Sequence, residues 1–227
     1  QWLQAQGGTL HSGDRVQRIA RGPAGSTGWR VDDAPFDAVV LATTSTEAAR
    51  LVLTAHTAHS TLQGPEAAAL QAWARKAQAL RFTAIATVYA QTSALPQGTV
   101  LSQPMLALRP GAGKPAQFVF DRMQLGGPAG LLAFVVSASE GDRATLEREV
   151  LQQAQDQLGL QGLRIVQTVV EKRATFACTP ALQRPPQTVA NGLCACGDYV
   201  EGPYPATLEG AVLSGTAAAG TPVAATM

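Results

Sequence analysis

The chain has 227 residues, 46% of them hydrophobic and 15% charged, with 17 Lys and Arg against 16 Asp and Glu for a formal net charge of +1. That composition builds the core of one generous domain or two small ones and excludes disorder as the main state. The near-zero charge leaves no long-range field to gather nucleic acid, so none is expected as a partner and ligands must be selected by local contacts.

With 22 Gly and 14 Pro the chain is turn-rich without being of low complexity. Three cysteines, Cys178, Cys194 and Cys196, are too few and too clustered for a disulfide framework and read as reduced thiols of a cytoplasmic protein. No apolar run approaches the roughly 18 residues of a membrane span; Val39 to Ala42 and Leu131 to Val136 are the longest. The chain opens at Gln1 inside a usable pattern, with neither an initiator Met nor a basic-then-apolar leader, and a cut start is expected.

In chain order, Gly7 to Val31 predicts a hairpin whose loop runs from Gly22 to Gly28. Phe36 to Ala42 predicts a short buried strand, after which the hydroxyls of Thr43, Thr44 and Ser45 cap a helix through Glu47 to Leu53. Pro65 to Leu80 predicts a helix with Leu70, Trp73, Ala77 and Leu80 along one side. From Arg81 the hydrophobic period becomes two, and Phe82 to Gln91, Gln117 to Arg122, Leu131 to Ser139 and Arg164 to Phe176 predict a mostly antiparallel sheet. Asp142 to Leu158 places Leu146, Val150, Leu151, Ala154 and Leu158 at the spacing of an amphipathic helix that covers one face of that sheet. A short strand, Leu193 to Cys196, and a helix from about Ala206 to Ala219 close the chain.

The fold class is therefore mixed α/β and α+β, with α/β pieces at both ends interrupted by a helix-covered antiparallel sheet. The two end pieces are too small to bury both faces of a sheet by themselves, so further strands are expected before Gln1.

The strongest motif is GDYVEGPYPATLEGAVLSG, Gly197 to Gly215. A strand ends at Gly197, Asp198 follows, and a helix begins near Thr207 whose face of Gly210, Ala211, Ser214, Gly215 and Ala218 lets a backbone or a flat ligand approach closely. Free N–H groups at the start of that helix suit an acceptor, and Asp198 suits sugar-like hydroxyls; an ordinary strand-loop-helix connection has the same pattern.

This stretch resembles the C-terminal flavin-contacting motif of the flavin-containing amine oxidase and phytoene desaturase superfamily. EKRATFACTP (Glu171 to Pro180), FVFDR (Phe118 to Arg122) and LLAFVVSAS (Leu131 to Ser139) resemble its squalene-associated branch, the hydroxysqualene dehydroxylases of hopanoid synthesis. The resemblance implies FAD as cofactor. It makes residues 1–53 and 187–227 parts of an FAD-binding domain and residues 54–186 the substrate-binding domain. It implies cofactor contacts at Val16, whose main chain resembles the adenine-facing strand position, and at Gly197, Asp198, Pro205, Ala206, Thr207, Leu208 and Glu209. Among these, Asp198 resembles the carboxylate at the ribityl or pyrophosphate end, and Thr207 and Leu208 resemble donors to the flavin N1/O2 edge. The family's GxGxxG turn is missing: Gly22-x-x-Gly25-x-x-Gly28 and Gly111-x-Gly113-Lys114 both read as loops. This stretch alone is therefore expected to be inactive.

The branch implies reductive loss of an allylic hydroxyl from hydroxysqualene, giving squalene. A leaving hydroxyl needs a proton or a strong hydrogen-bond donor, and Asp121, Arg122, Lys172 and Arg173 sit in the branch motifs; solvated edge charges are the plainer reading of the same residues. The alternatives are a carotenoid desaturase or amine oxidase relative, or a non-catalytic module that binds an apolar ligand or a partner. An apolar isoprenoid substrate, peripheral contact with the inner membrane and a homodimer through the exposed half-domain face are the expected partners. Phe82, Tyr89, Phe118, Phe120 and Phe134 either line an isoprenoid slot or form core. No metal site is expected, since His56-x-x-His59 has no further ligand nearby, and a hydrolase triad has no Gly-x-Ser-x-Gly to stand on.

Overall fold

The structure, a computed structural model, describes residues 2–23, 28–57, 64–92, 99–139 and 141–220. Its elements in chain order are a single helical turn α1 (Trp2–Ala5), strands β1 (Ile19–Arg21), β2 (Trp29–Val31), β3 (Ala34–Phe36) and β4 (Val39–Leu41), and helices α2 (Ser45–Thr57) and α3 (Pro65–Gln78). Then come β5 (Phe82–Gln91), β6 (Met105–Ala107), β7 (Phe118–Asp121), a 3-10 turn at Met123–Leu125, β8 (Leu131–Ser137), α4 (Arg143–Leu158) and β9 (Arg164–Phe176). Strands β10 (Thr188–Ala190) and β11 (Leu193–Ala195) and helix α5 (Leu208–Ala219) complete it. The chain divides into two compact units, residues 1–80 with 178–227, and residues 81–177.

The first unit holds two small sheets. One is antiparallel in the order β1-β2-β3, and the other has the order β10-β11-β4, with β11 parallel to β4. The expected strand from Phe36 to Ala42 is thus two strands in different sheets. Phe36 pairs with Trp29, and Asp32, at φ 51, sits in the tight turn that folds β3 back on β2. The hairpin expected from Gly7 forms only as β1 and β2, because Asp32 Oδ1 takes the Gln17 and Arg18 amides that a ladder would use.

Thr44 caps α2 as a hydroxyl should: its Oγ1 accepts from Glu47 N at 3.4 Å and its carbonyl from Ala48 N. Helix α3 starts at Pro65 and buries Leu70, Trp73, Ala74 and Ala77. Trp73 Nε1 donates to Pro186 O at 2.7 Å, so residues 65–80 and the loop before β10 belong to this unit. The compact division therefore falls at 80/81 and 177/178, where the sequence placed it at 53/54 and 186/187. Ile19, Trp29, Val52, Leu70 and Leu193 form the centre of the core, each under 2% exposed.

The second unit is a five-stranded sheet in the order β6-β7-β8-β5-β9, antiparallel at every pairing. One face carries Ala86, Val88, Leu132, Phe134 and Val119 and packs with Leu146, Val150 and Ala154 of α4. Alternation puts Thr87, Tyr89, Phe118, Phe120 and Val135 on the opposite face. The aromatics named from sequence therefore divide: Phe134 is core, while Tyr89, Phe118 and Phe120 stand on the side away from α4. Asp142 caps α4, accepting from Thr145 N at 2.9 Å, and Gly159 ends it at φ 67. Among the described residues no helix is long and apolar enough to cross a membrane. Of the His56 pair, His59 and the side chain of His56 lie outside the described residues.

Candidate functional site

In a parallel pair, ligands collect beyond the carboxyl ends of the strands, where chain leaves the sheet and helix amides face outward. The pair β4–β11 ends at Leu41 and Ala195, and Cys196 N still donates to Leu41 O at 3.1 Å. The next residues are Gly197 and Asp198. Gly197 adopts φ 152, and a Cβ there would lie 2.7 Å from the Tyr199 ring, so only Gly lets the chain turn over that ring.

A cleft of about 240 Å³ opens at this point. Asp198 and Arg184 line it together with Tyr204, Gly210 and Ser214. Asp198 is half-buried, and burial pushes its carboxyl above the usual range, against the pull of its own amide and of the Arg184 charge. Tyr199 is buried at 3% exposure, and burial, with Cys196 and Asp198 nearby, raises its phenol far above the ordinary range, so it stays neutral. The Cys196 thiol is likewise raised by burial and Cys194 by burial and by Cys196; both thiols are protonated at neutral pH and are not nucleophiles.

Helix α5 begins with Thr207 as its N-cap rather than at Ala206, and Thr207 Oγ1 accepts from Gly210 N at 3.0 Å while donating to Tyr204 O at 2.8 Å. The amides of Thr207, Leu208 and Glu209 have no partner among the described residues, and the Leu208 side chain is 87% exposed. Ala206 takes φ 57, a left-handed conformation costly for a residue with a Cβ, and its amide donates to Asp198 O at 3.3 Å. The slim face of α5 is used by the chain's own backbone: Ser214 Oγ accepts from Gly197 N at 2.9 Å and donates to Gly197 O at 3.0 Å, and Ala218 is buried. A Cβ on Gly210 would lie 2.1 Å from Tyr204 O.

Of the proposed cofactor residues Asp198 lines the cleft itself; Gly197, Ala206 and Thr207 are bonded to its lining residues Ser214, Asp198 and Tyr204, and Pro205, Leu208 and Glu209 are not among the lining residues. Val16 stands apart, outside any strand, with its carbonyl held by Arg50 Nη2 at 2.8 Å. Sequence reasoning missed Arg184, a lone cation in the Gln183-Arg184-Pro185-Pro186 loop, whose position directly before two prolines was the available signal.

The four proposed catalytic residues lie in the other unit, at two places. Asp121 is fully buried at the end of β7; its Oδ2 accepts from Val100 N at 2.8 Å, Leu101 N at 3.1 Å and Gln124 Nε2 at 3.2 Å, and its Oδ1 from Met123 N at 3.1 Å. Burial pushes its pKa up, but the four hydrogen bonds together hold it below the usual carboxylate range. An ionised carboxylate with its lone pairs occupied has no proton to give, so Asp121 is a structural anchor for residues 100–124. Arg122 opens the 3-10 turn that follows. Lys172 and Arg173 are exposed in the irregular stretch of β9 between the pairs Ile85–Glu171 and Thr83–Thr175.

The cleft suits the sugar and phosphate side of a flavin: it offers the half-buried Asp198 carboxylate as acceptor and the Arg184 guanidinium as cation, and the helix that supplies Gly210 and Ser214 to its wall begins with amides that have no partner among the described residues. The solved structure of an oxidoreductase from Methanosarcina mazei superposes with a TM-score of 0.63 at 18% identity, covering 95% of this chain and 50% of that one. A candidate protoporphyrinogen oxidase from Exiguobacterium sp. 255-15 gives a TM-score of 0.51 at 14% identity, covering 90% of this chain and 46% of that one. These likenesses establish the fold, and the chain spans about half the length of each. No curated protein matches. The model of the flavin containing amine oxidoreductase family matches residues 2–221, and the chain belongs to that family, whose cofactor is FAD.

Proposed function

We propose that this chain is the cofactor-edge and substrate portion of an FAD-dependent oxidoreductase that acts on an apolar isoprenoid, with reductive dehydroxylation of hydroxysqualene to squalene as the reaction. The observation that supports the flavin part is a cleft lined by Asp198, Arg184 and Gly210, with the open first amides of α5 next to it, where Thr207 bonds to the lining residues Tyr204 and Gly210. Asp198 would accept from the ribityl hydroxyls or meet the pyrophosphate end, and Thr207 and Leu208 would donate to the N1/O2 edge. The cofactor, when bound, supplies the hydride. A helix N-terminus beside the developing charge stabilises it by roughly 0.3 to 2 kcal/mol. At about 30 mV per 1.4 kcal/mol for two electrons, that tunes the potential without creating the chemistry.

The substrate part rests on the sheet face away from α4. Tyr89, Phe118, Phe120 and Val135 there form an apolar strip on which an isoprenoid chain can lie. With Asp121 committed to structure, the donor for the leaving hydroxyl falls to Arg122, Lys172 or Arg173, each as a hydrogen-bond donor. Residues 1–80 and 178–227 serve the cofactor and residues 81–177 the substrate in this reading. Peripheral contact at the inner membrane from the cytoplasmic side, and self-association, belong to the same proposal and draw on the exposed Leu208, Val212 and Leu213 of α5.

Product analysis of the holoenzyme tests this. Hydroxysqualene converted to squalene with reduced flavin supports it, whereas turnover of phytoene or of an amine moves the substrate assignment within the family. A colourless protein that holds lipid and no flavin overturns it.

A further inference from the structure

Loop 184–187 and the stretch after Asp198 are joined by three hydrogen bonds. Arg184 Nη1 donates to Val200 O at 2.7 Å, Arg184 Nη2 donates to Gly202 O, and Glu201 N donates to Pro185 O at 2.9 Å. Val200 and Gly202 line the cleft beside Asp198, and so does Arg184 itself. A planar fork that spans two carbonyls two residues apart fixes both their spacing and their orientation, which a flexible point charge such as Lys does not. Pro185 and Pro186 on the other side of the fork limit the backbone freedom of the loop that carries it.

We propose that Arg184 is a positioning residue for the dinucleotide cofactor: its guanidinium clasps the Val200–Gly202 turn so that the cleft wall holds its shape, and it stands as the cation beside the Asp198 carboxylate that meets the cofactor's sugar or phosphate. This rests on the placement of FAD at the cleft. The physical logic is preorganisation. Residues 199–206 carry Gly202, Pro203 and Pro205 but no strand or helix of their own, so without the clasp the ordering of the turn must be drawn from binding energy. The Arg184 charge also favours the ionised Asp198 that burial disfavours, and an ionised carboxylate accepts more strongly from a hydroxyl.

FAD affinity of the reconstituted holoenzyme, read by flavin fluorescence quenching, is the test. Arg184→Ala is expected to weaken FAD binding by about tenfold or more, and Arg184→Lys by a smaller factor because it keeps the charge and loses the fork. Free guanidinium at a sub-denaturing level is expected to restore most of the affinity of Arg184→Ala, with sodium at equal ionic strength as control. Unchanged affinity in Arg184→Lys and Arg184→Ala overturns the inference, as does a loss in Arg184→Ala that guanidinium leaves in place. Asp198→Ala separates the two levels. If it releases FAD while the Arg184 variants bind normally, only the role of Arg184 fails; if it too binds normally, the placement of FAD at this cleft fails.

Discussion

The guanidinium of Arg21 lies over the indole of Trp29, 4.4 Å from the ring centroid, and both side chains donate to one carbonyl, Asn191 O, at 2.8 and 2.9 Å. Arg21 also pairs with Glu66 of α3, and its side chain is only 15% exposed. The hairpin β1–β2, helix α3 and the turn between β10 and β11 are therefore pinned at one point within the first unit. Removing Arg21 takes away a cation–π contact with little water around it and a charge-assisted bond to the turn. Arg21→Ala is expected to cost about 2 kcal/mol, with a weak dependence on salt. Urea denaturation at low and high salt checks both; a loss that vanishes at high salt would assign the effect to surface charge alone.

Gln153 and Gln157, one turn apart on α4, pair with backbone as a strand would. Gln153 accepts from Ala116 N at 2.8 Å and donates to Ala116 O at 2.9 Å, and Gln157 does the same with Arg109 at 2.9 and 2.8 Å. Gln153 is fully buried and Gln157 lies near the surface, so identical chemistry carries different costs. Gln153→Leu strands a buried donor and acceptor and is expected to lose about 2 to 4 kcal/mol, while Gln157→Ala, whose partners water can serve, loses about 1 kcal/mol or less. Equal losses in chemical denaturation would refute the role of burial here.

Periodic segments were legible. The apolar spacing of α4, the Pro65 start of α3 and the long alternating strands β5, β8 and β9 each reflect a face packed on one neighbour, which a sequence records directly. Strands β6 and β10 were not read, being three residues long and too short to show a period; yet Asn191-Gly192, with Gly192 at φ 71, marks the β10–β11 turn and was a usable signal. At the site, Asp198 and the α5 start were visible because strand, loop and helix adjoin in sequence. Arg184 was not, because its partners are backbone carbonyls 16 and 18 residues away, and backbone leaves no trace in composition. The setting of Asp121 was hidden for the same reason: its four donors are three backbone amides and one glutamine.

Asp121 gives a prediction in pH. Its folded pKa is depressed below the ordinary 3.8, so its contribution to stability is fully present above that value and is lost as pH falls through the folded one. Asp121→Asn replaces an acceptor by a donor against Val100 and Leu101 amides and is expected to cost about 2 to 4 kcal/mol at neutral pH. The gap between wild type and variant should close on acidification below about pH 4 and stay constant from there to neutrality. Melting curves across that range decide it; a gap that instead closes toward alkaline pH would mean that Asp121 is protonated in the fold.

Two glycines on α5 make a matched pair. A Cβ on Gly210 meets the Tyr204 carbonyl at 2.1 Å, and a backbone oxygen has no rotamer by which to yield, so Gly210→Ala must push Tyr204 and the wall of the cleft outward. The variant is expected to lose about 2 kcal/mol or more of stability and at least tenfold in FAD affinity. A Cβ on Gly215 meets nothing within 4 Å, and in a helix interior the exchange lowers the entropy of the unfolded chain, so Gly215→Ala is expected to gain about 0.5 to 1 kcal/mol and leave FAD binding unchanged. Thermal denaturation and flavin titration of the two variants side by side check the geometry. A stability loss from Gly215→Ala in the holoenzyme would show that another segment of protein lies against that face of α5, where the open apolar side chains of Leu208 and Val212 already mark a surface that water covers poorly.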